Sequence, residues 1–465
     1  MKVGLLLGRR GVLALALMAA ACTSGDDRSA GRPVAPTTTV APAVGGTVRV
    51  GVWGEPDPDA PTLGGAAVRA LVLPQLFVAR PDGRWQPSLV VGGSDTTAPD
   101  ARSATFRLRS GAWSDGSPVT ADDLRRTADP RFVAGVDGPG ADEAVTVRFT
   151  QALPGWRRLW SGTDSVGAPA PGIWGGPFVV ASYERGLEVV LRRHDGWYGE
   201  RGAFLDELRL VLVPDDTTAR RLLDRGELDV VMPPAATART SQLDGFDGVE
   251  LASAERSGWW VGLVLRADAL PLGQRQAVAA TIDRRLFVET LLAGEASELG
   301  GFVPPGPGPW ASVPAGDARA LRDVTVQLTG QIEEPMTSLL GRSMQKRARA
   351  AAARLELRTA EADRVEPWVA AGEYEAALVM RYDGPVVCWT CRWAAVDEGL
   401  ARAADGGDRA AASALETRLH DQALVFPLWR PVPVVAWRTG LGGLVANGYA
   451  LSAAWNAWEW HRLAG

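Results

Sequence analysis

The length, composition and charge of the chain limit the classes of protein to which it can belong. It has 465 residues, of which 46% are hydrophobic and 22% charged, and its formal net charge is -5. A chain of this length and composition is expected to fold into two or three globular domains. Its negative charge disfavours nucleic acid as a partner. It has three histidines and contains no GxSxG, HExxH or phosphate-loop motif, so the sequence predicts a binding protein without a cofactor rather than an enzyme.

The first 45 residues have the pattern of an exported protein. Basic residues precede a short apolar run that ends in three alanines, so residues 1–21 are predicted to be a signal peptide. Cys22 follows at once and resembles the lipidated cysteine of a bacterial lipobox, which would anchor the protein to the outer face of the cell membrane. The alternative is an ordinary secretory signal followed by an unmodified cysteine. Residues 22–45, rich in Thr, Ala, Pro and Gly, are predicted to be a disordered tether.

A strand, a tight turn and a helix start follow one another in residues 106–124. Apolar residues alternate with arginines at its beginning, as in a half-buried strand, and Gly116 suits a turn that needs a positive φ. Thr120 is a good helix N-cap, and Asp123 three residues later completes a variant of the capping box. We expect this corner, which contains Trp113, to hold part of the fold together rather than to contact a ligand.

Further strands and helices alternate along the rest of the chain. Strands at 208–213 and 228–231 enclose a predicted helix, which makes one strand-helix-strand unit. Later strands at 324–328 and 376–380 enclose an arginine-rich helix at 344–354, whose basic side chains are expected to face solvent. This alternation predicts an α/β fold with mixed sheets flanked by helices.

Four segments resemble the sequence patterns of the extracellular solute-binding proteins, family 5, which serve ABC importers of peptides and nickel. They are the corner at 106–124, a Gly-Pro-aromatic corner and hairpin at 175–198, the strand-helix-strand unit, and two predicted helices within 275–294. The resemblance spans from about Gly46 to the end of the chain. The chain differs from the family pattern in a shortened small lobe, in His194 where the family has an Asn-Pro pair, and in one missing asparagine.

The resemblance implies a two-lobed, periplasmic-binding-protein-like fold with an extra small lobe and a hinge between the main lobes. A ligand would be enclosed between the lobes by hinge closure. In chain order, the segments expected are 46–65 for the start of lobe I, 66–169 for the small extra lobe, 170–263 for the second part of lobe I, 264–438 for lobe II and 439–465 for a return to lobe I.

Five residues are candidates for ligand binding. Asp383 follows a predicted strand, where the resemblance places the aspartate that pairs with the α-ammonium group of a bound peptide. A buried carboxylate would orient such a cation. The alternative is that Asp383 is a turn residue. Trp259, Trp260, Trp389 and Trp393 are aromatic candidates for the cleft wall, and the alternative for each is a place in the hydrophobic core.

Cys388 and Cys391 are the two cysteines that remain if Cys22 is lipidated. In an oxidising compartment they are expected to close a small disulfide loop. The alternatives are a labile redox pair, because CxxC is the thioredoxin spacing, and a metal site. No histidine lies at metal-ligand spacing, so a metal site is not expected.

Two functions follow from these observations. In the first, the protein is a monomeric, lipid-anchored receptor of an ABC importer that binds a peptide or similar small solute and delivers it to a permease and ATPase complex. In the second, it is a cell-envelope lipoprotein with the same fold that acts through protein contacts in wall assembly or regulation. A roomy, tryptophan-lined cavity would favour the first function, and a closed or filled cleft would favour the second.

Overall fold

The computed structural model describes residues 42–138, 144–162, 165–234, 240, 243–303, 308–311, 316–331, 335–360, 362–450 and 452–463. The predicted signal peptide, Cys22 and most of the predicted tether lie outside these described residues. The last part of the tether differs from the prediction, because Pro42–Ala43 is a short strand that pairs with His461–Leu463. Within the described ranges, no helix combines the length and apolarity needed to cross a bilayer.

Lobe I is built on a sheet of seven strands. Its central strand, Thr47–Val52, is parallel to both of its neighbours, and the outer strands are antiparallel. Val48 and Val50 are buried while Arg49 between them is exposed, which is the alternation that predicts this strand. The helices Leu63–Val72 and Asp216–Asp224 belong to this lobe. The strands in spatial order are Val249–Ser253, Val434–Arg438, Val230–Val231, Thr47–Val52, Glu207–Leu212, Glu188–Arg193 and Phe178–Glu184.

Lobe II is built on a sheet of six strands. The strand Trp259–Leu265 lies inside this sheet and is antiparallel to both of its neighbours. In spatial order the strands are Ser297–Glu298, Val425–Arg430, Trp259–Leu265, Ala376–Tyr382, Thr325–Gln331 and Arg354–Ala360. The α-helices of the lobe are Leu272–Ala279, Arg284–Leu286, Pro335–Ala350, Ala362–Ala370, Trp389–Trp393, Glu398–Asp405 and Arg409–Asp421.

The small lobe holds the corner that the sequence predicts. Gly116 has a φ of 86°, and the capping box between Thr120 and Asp123 is confirmed at the start of the helix Ala121–Arg126. Trp113 is 1% exposed and its Nε1 donates to the Asp123 carboxylate at 3.2 Å. The strands are Phe77–Ala79 and Trp85–Pro87 in a hairpin, and Thr96–Thr97, Ser103–Arg107, Ala144–Phe149 and Val133–Asp137 in a four-stranded sheet.

Sheet membership differs from the predicted segment bounds at two strands. Trp259–Leu265 pairs in the lobe II sheet, although the predicted bound at 263 put most of it in lobe I. Val434–Arg438 pairs in the lobe I sheet, although it was expected in lobe II. Both strands are apolar, and apolarity does not specify a pairing partner. The chain thus crosses from one sheet to the other just before each strand. We call the connection between Val249–Ser253 and Trp259–Leu265 and the connection between Val425–Arg430 and Val434–Arg438 the two crossings. They lie side by side, because the backbone N–H of Ala254 donates to the Pro433 carbonyl at 3.0 Å.

The arginine-rich helix lies earlier than predicted. It spans Pro335–Ala350, and the next strand, Arg354–Ala360, occupies the place where the helix was expected to end. Ala352 between them has a φ of 56°, a left-handed conformation that a right-handed helix cannot contain. The basic side chains are exposed, as predicted, at Arg342, Lys346, Arg347, Arg349 and Arg354.

Candidate functional site

A cavity of about 70 Å³ lies where lobe I, lobe II and the crossings between them meet. Trp53, directly after the central strand of lobe I, lines it together with Trp259 and Met380 from two neighbouring strands of lobe II. Pro433, from one of the crossings, also lines it. Ligand pockets usually enclose roughly 300–1,000 Å³, so this cavity is small. The other described lining residues are Val52, Leu63, Ala67, Met232, Pro233, Pro234, Val434, Asn447, Ala450, Ser452 and Ala453.

The lining is apolar, and none of its described residues carries a charge. Most of its polar side chains have partners within the protein. The Nε1 of Trp259 donates to the Ala450 carbonyl at 3.3 Å, and the side chains of Asn447 and Ser452 are also hydrogen bonded. Trp53 differs, because it is 6% exposed and its Nε1 is buried without a hydrogen-bond partner among the described residues.

Asp383 follows the strand Ala376–Tyr382, but its carboxylate is occupied within lobe II. One oxygen accepts from Nε of Arg392 at 2.6 Å and the other accepts from Nε1 of Trp260 at 2.8 Å. The side chain is 5% exposed. Burial lowers the pKa of the Arg430 guanidinium, and the charge of Asp383 opposes that shift. Asp383 thus serves as a counterion for the protein's own cations, and its contact with a ligand stays a prediction.

Trp259 and Trp260 are consecutive strand residues, so their side chains point to opposite faces of the lobe II sheet. Trp259 lines the cavity, and its ring centroid lies 5.0 Å from that of Tyr382. Trp260 is 2% exposed and packs against Phe302 with a centroid distance of 5.1 Å. The geometry places Trp259 at the cavity and Trp260 in the lobe II core.

Trp389 and Trp393 lie on one short helix and pack into the lobe II core. Their ring centroids are 5.3 Å apart, and Trp393 lies 5.2 Å from Phe302. Both are buried, and neither is among the described residues that line the cavity. The geometry therefore favours the core alternative for this pair.

Cys388 and Cys391 are joined by a disulfide at the start of that helix. The fully buried carboxylate of Asp405 accepts hydrogen bonds from two backbone N–H groups of the same turn, at 2.9 and 3.0 Å. It also pairs with Arg158 of the small lobe at 3.3 Å. A buried ion pair thus joins the small lobe to lobe II beside the disulfide loop. In the part of the chain that the structure describes, no three His, Cys, Asp or Glu residues are grouped as a metal site.

Sequence reasoning did not identify several residues of the cavity, chiefly Trp53, Met380 and Asn447. A signal for Trp53 was available, because it directly follows the alternating strand that opens lobe I, and ligands often bind at the carboxyl ends of parallel strands. Asn447 carries no such signal. It lies in an irregular segment, and its side chain donates to the carbonyl of Ala79, far away in the sequence, at 2.7 Å.

Comparison with curated proteins gives two distant relatives. Protein XP55 of Streptomyces lividans is 27% identical over 302 residues, which is 56% of this chain and 52% of the relative. The oligopeptide-binding protein OppA of Bacillus subtilis (strain 168) is 21% identical over 310 residues, which is 56% of each chain. The chain thus spans about half the length of the curated relatives it matches.

Comparison with solved structures confirms the predicted fold class. The ABC transporter-associated periplasmic binding protein DppA from Helicobacter pylori, in complex with the peptide STSA, has a TM-score of 0.73. The match covers 91% of this chain and 99% of that one, at 14% identity. Such low identity supports the shared fold alone.

The family comparison confirms the predicted resemblance. The family described as bacterial extracellular solute-binding proteins, family 5 Middle, matches residues 85–334, which is more than half of the chain. Its members are solute-binding proteins rather than enzymes, in agreement with the prediction. The chain belongs to the bacterial extracellular solute-binding proteins, family 5.

Proposed function

We propose that the protein is the solute receptor of an ABC importer and encloses a peptide or similar small solute between its two large lobes. The observation that carries this proposal is the cavity between the sheets, which is lined by Trp53 from lobe I and by Trp259 and Met380 from lobe II. Family membership supports a binding role. The names of OppA, an oligopeptide-binding protein, and of the DppA complex with the peptide STSA support a peptide as the first ligand class to test.

The connection between the lobes also supports the proposal. The crossings before Trp259 and before Val434 are held side by side by the hydrogen bond between Ala254 and Pro433. Rotation about two adjacent crossings would separate the sheets without breaking either hydrogen-bond ladder. Because Trp259 lines the cavity and adjoins one crossing, its fluorescence is expected to respond when a ligand closes the lobes.

Ligand binding can be tested by tryptophan fluorescence and thermal unfolding with a library of di- to pentapeptides and other small solutes. A solute at 100 times its Kd should add about 2.7 kcal/mol of stability. The substitution Trp259→Leu should weaken binding, whereas Trp393→Leu, in the lobe II core, should lower stability and leave affinity unchanged. If no solute alters fluorescence or melting temperature, the receptor function is wrong.

The proposal includes a lipid anchor on Cys22 and delivery to a permease and ATPase complex. Growth of the producing cells with an alkyne-labelled fatty acid should label the parent protein, and Cys22→Ala should release an unlabelled protein into the medium. Deletion of the gene should abolish uptake of the solute that binds in vitro. Uptake that is normal without the protein would contradict the delivery step.

A second function is favoured by the small volume of the cavity and by the contact between the small lobe and lobe II. The buried pair of Arg158 and Asp405 fixes that contact, and a cavity of about 70 Å³ is small for a peptide. A cell-envelope lipoprotein that acts through protein contacts would need neither a large cavity nor lobe motion. Distances between fluorescent labels on lobes I and II that stay constant with every solute, together with a specific envelope protein crosslinked in cells, would support this function.

A further inference from the structure

We propose that Cys391 is the site at which a dithiol reductant opens the Cys388–Cys391 disulfide, and that this reduction loosens the attachment of the small lobe to lobe II. The reductant is identified by its chemistry, as a molecule with two neighbouring thiols of which one is a reactive thiolate. The inference goes beyond the proposed function and does not depend on it. It stands on the different environments of the two cysteines and on the contacts of the loop that the disulfide closes.

The two sulfur atoms differ in their environment. Cys391 is exposed, whereas Cys388 is partly buried and packs against the core of the small lobe. Sγ of Cys388 also accepts a hydrogen bond from the backbone N–H of Cys391 at 3.2 Å, and such a bond stabilises negative charge that develops on the sulfur. Access to each sulfur and the stability of the leaving thiolate decide which sulfur is attacked. We therefore expect an external thiolate to attack Cys391, and Cys388 to leave.

The reduction is a two-electron exchange with the dithiol. A thiolate of the reductant attacks Sγ of Cys391 and forms a mixed disulfide, while the bond to Cys388 breaks and Cys388 leaves as a thiolate. The second thiolate of the reductant then attacks the reductant's own sulfur in the mixed disulfide and releases Cys391 as a thiolate. The protein gains two electrons and two protons in total, and the reductant loses the same number and ends as a disulfide.

The disulfide loop lies where the small lobe contacts lobe II. Arg158 of the small lobe donates to the carbonyl of Val387, directly before the disulfide, at 3.4 Å. Arg158 also pairs with Asp405 at 3.3 Å. The Asp405 carboxylate in turn accepts from the backbone N–H groups of Trp389 and Thr390, inside the disulfide loop, at 2.9 and 3.0 Å. The bonds that hold Arg158 to lobe II thus depend on the conformation of this loop.

Reduction removes a covalent link from a short helix. The helix Trp389–Trp393 has five residues, and a helix of this length is marginal without tertiary support. The disulfide closes its first turn, and a chain that loses such a link gains conformational freedom. In the added conformations the N–H groups of the turn no longer point at Asp405, so the hold on Arg158 weakens. The loosening stays local, because the two tryptophans of the helix remain packed in the lobe II core.

The first experiment identifies the sulfur that is attacked. The full chain with Cys22→Ala keeps only the two cysteines of the disulfide. The probe is thioredoxin whose second active-site cysteine is replaced by serine, so that the reaction stops at the mixed disulfide. After acid quenching in native buffer, peptide mass spectrometry should find thioredoxin on Cys391. A mixed disulfide on Cys388, or a reaction that occurs only when the protein is unfolded in urea, would overturn the proposal.

The second experiment measures the loosening by hydrogen exchange of the full chain, before and after reduction by thioredoxin, its reductase and NADPH. The backbone amides of residues 387–393 and of the small-lobe segment Trp156–Arg158 should exchange about 10-fold faster in the reduced protein, because local opening becomes more frequent. The helix Ala121–Arg126, which lies in the same lobe and makes none of the bonds above, should exchange at its former rate. Unchanged exchange at Trp156–Arg158 would refute the loosening.

The matched variant is Arg158→Met, which removes the side chain that bonds to the loop and leaves the disulfide intact. It should raise exchange at residues 156–158 without any reductant. Reduction of this variant should still raise exchange at residues 387–393 but add no further rise at 156–158, since two changes that act through one contact are not additive. A further rise at 156–158 would contradict the role given to Arg158.

Discussion

The carboxylate of Asp383 and the guanidinium of Arg392 form an ion pair of 2.6 Å inside lobe II. Their side chains are 5% and 23% exposed. Arg392 also donates to the Tyr382 carbonyl at 2.8 Å, so it is bonded to two consecutive residues where the strand ends. The residue that the sequence marks for ligand binding is thus part of the internal bonding of the lobe.

We predict that Arg392→Met destabilises the protein by about 3–5 kcal/mol, because it removes the cation that is hydrogen bonded to the buried Asp383 carboxylate. Urea unfolding at neutral pH measures this difference. The double variant Arg392→Met, Asp383→Asn should recover much of the loss, since the unpaired charge is then removed. An Arg392→Met variant as stable as the parent would contradict a stabilising role of this ion pair.

The control for this experiment is Arg285→Met. Arg285 also pairs with a carboxylate, that of Glu289, but the two side chains are 79% and 56% exposed. Exposed pairs on a helix contribute roughly 0.3–0.5 kcal/mol. The control variant should therefore unfold within about 0.5 kcal/mol of the parent.

We predict that Asp405→Asn costs about 3–5 kcal/mol, because it removes the charge opposite Arg158 from a fully buried position. Arg158→Met should cost less, since Asp405 would keep its hydrogen bonds from the helix start. Urea unfolding of the two variants shows which of them loses more stability. Asp268→Asn is the control, because Asp268 is exposed in its pair with Arg266. A greater loss in Arg158→Met than in Asp405→Asn would contradict this assignment.

Local features of the fold could be predicted from the sequence. The capping box of Thr120 and Asp123 depends on residues three apart, and the turn at Gly116 depends on its positive φ, so both follow from short-range chemistry. The central strand of lobe I likewise follows from its alternating valines. The family resemblance supplied the two-lobed arrangement, which no local pattern contains.

The site could not be predicted to the same degree, because it depends on long-range contacts. Trp259 and Trp260 are consecutive strand residues, so the sequence shows that their side chains lie on opposite faces of the sheet. The packing of lobe II decides which of them lines the cavity. Trp389 and Trp393 are four residues apart, so they share one helix face, and that face packs in the core. The pairing of Asp383 with Arg392 could likewise not be predicted without knowing where the helix Trp389–Trp393 lies.

We predict that Trp113→Ala lowers the stability of the protein by about 3–5 kcal/mol, the usual cost of truncating a buried aromatic side chain. Trp113 is 1% exposed and belongs to the core of the small lobe. Trp113→Phe should cost less, because it keeps most of the buried area and loses mainly the hydrogen bond to Asp123. Thermal unfolding measures the loss of stability in both variants. A Trp113→Ala variant that melted like the parent but lost its ligand would move this corner from scaffold to binding site.

The last prediction concerns the pH dependence of stability through Glu416. Its carboxylate is buried and accepts hydrogen bonds from the backbone N–H groups of Phe302 and Val303. Burial raises the pKa of Glu416 above its ordinary value of 4.5, and the two hydrogen bonds partly oppose this shift. The folded protein therefore holds this proton more tightly than the unfolded chain. The stability that Glu416 contributes is fully present below pH 4.5 and is lost as the pH rises through the raised pKa.

The substitution Glu416→Gln stays neutral and keeps an oxygen that can accept both N–H groups. As the pH rises from 4.5 through the raised pKa, the variant should therefore lose less free energy of unfolding than the parent. Urea unfolding at intervals of pH measures the difference between the two curves. Glu289→Gln, at an exposed position, should follow the parent. Parallel curves for Glu416→Gln and the parent would mean that the Glu416 carboxyl has the same pKa in the folded and unfolded chains, because stability changes with pH only where the two states bind different numbers of protons.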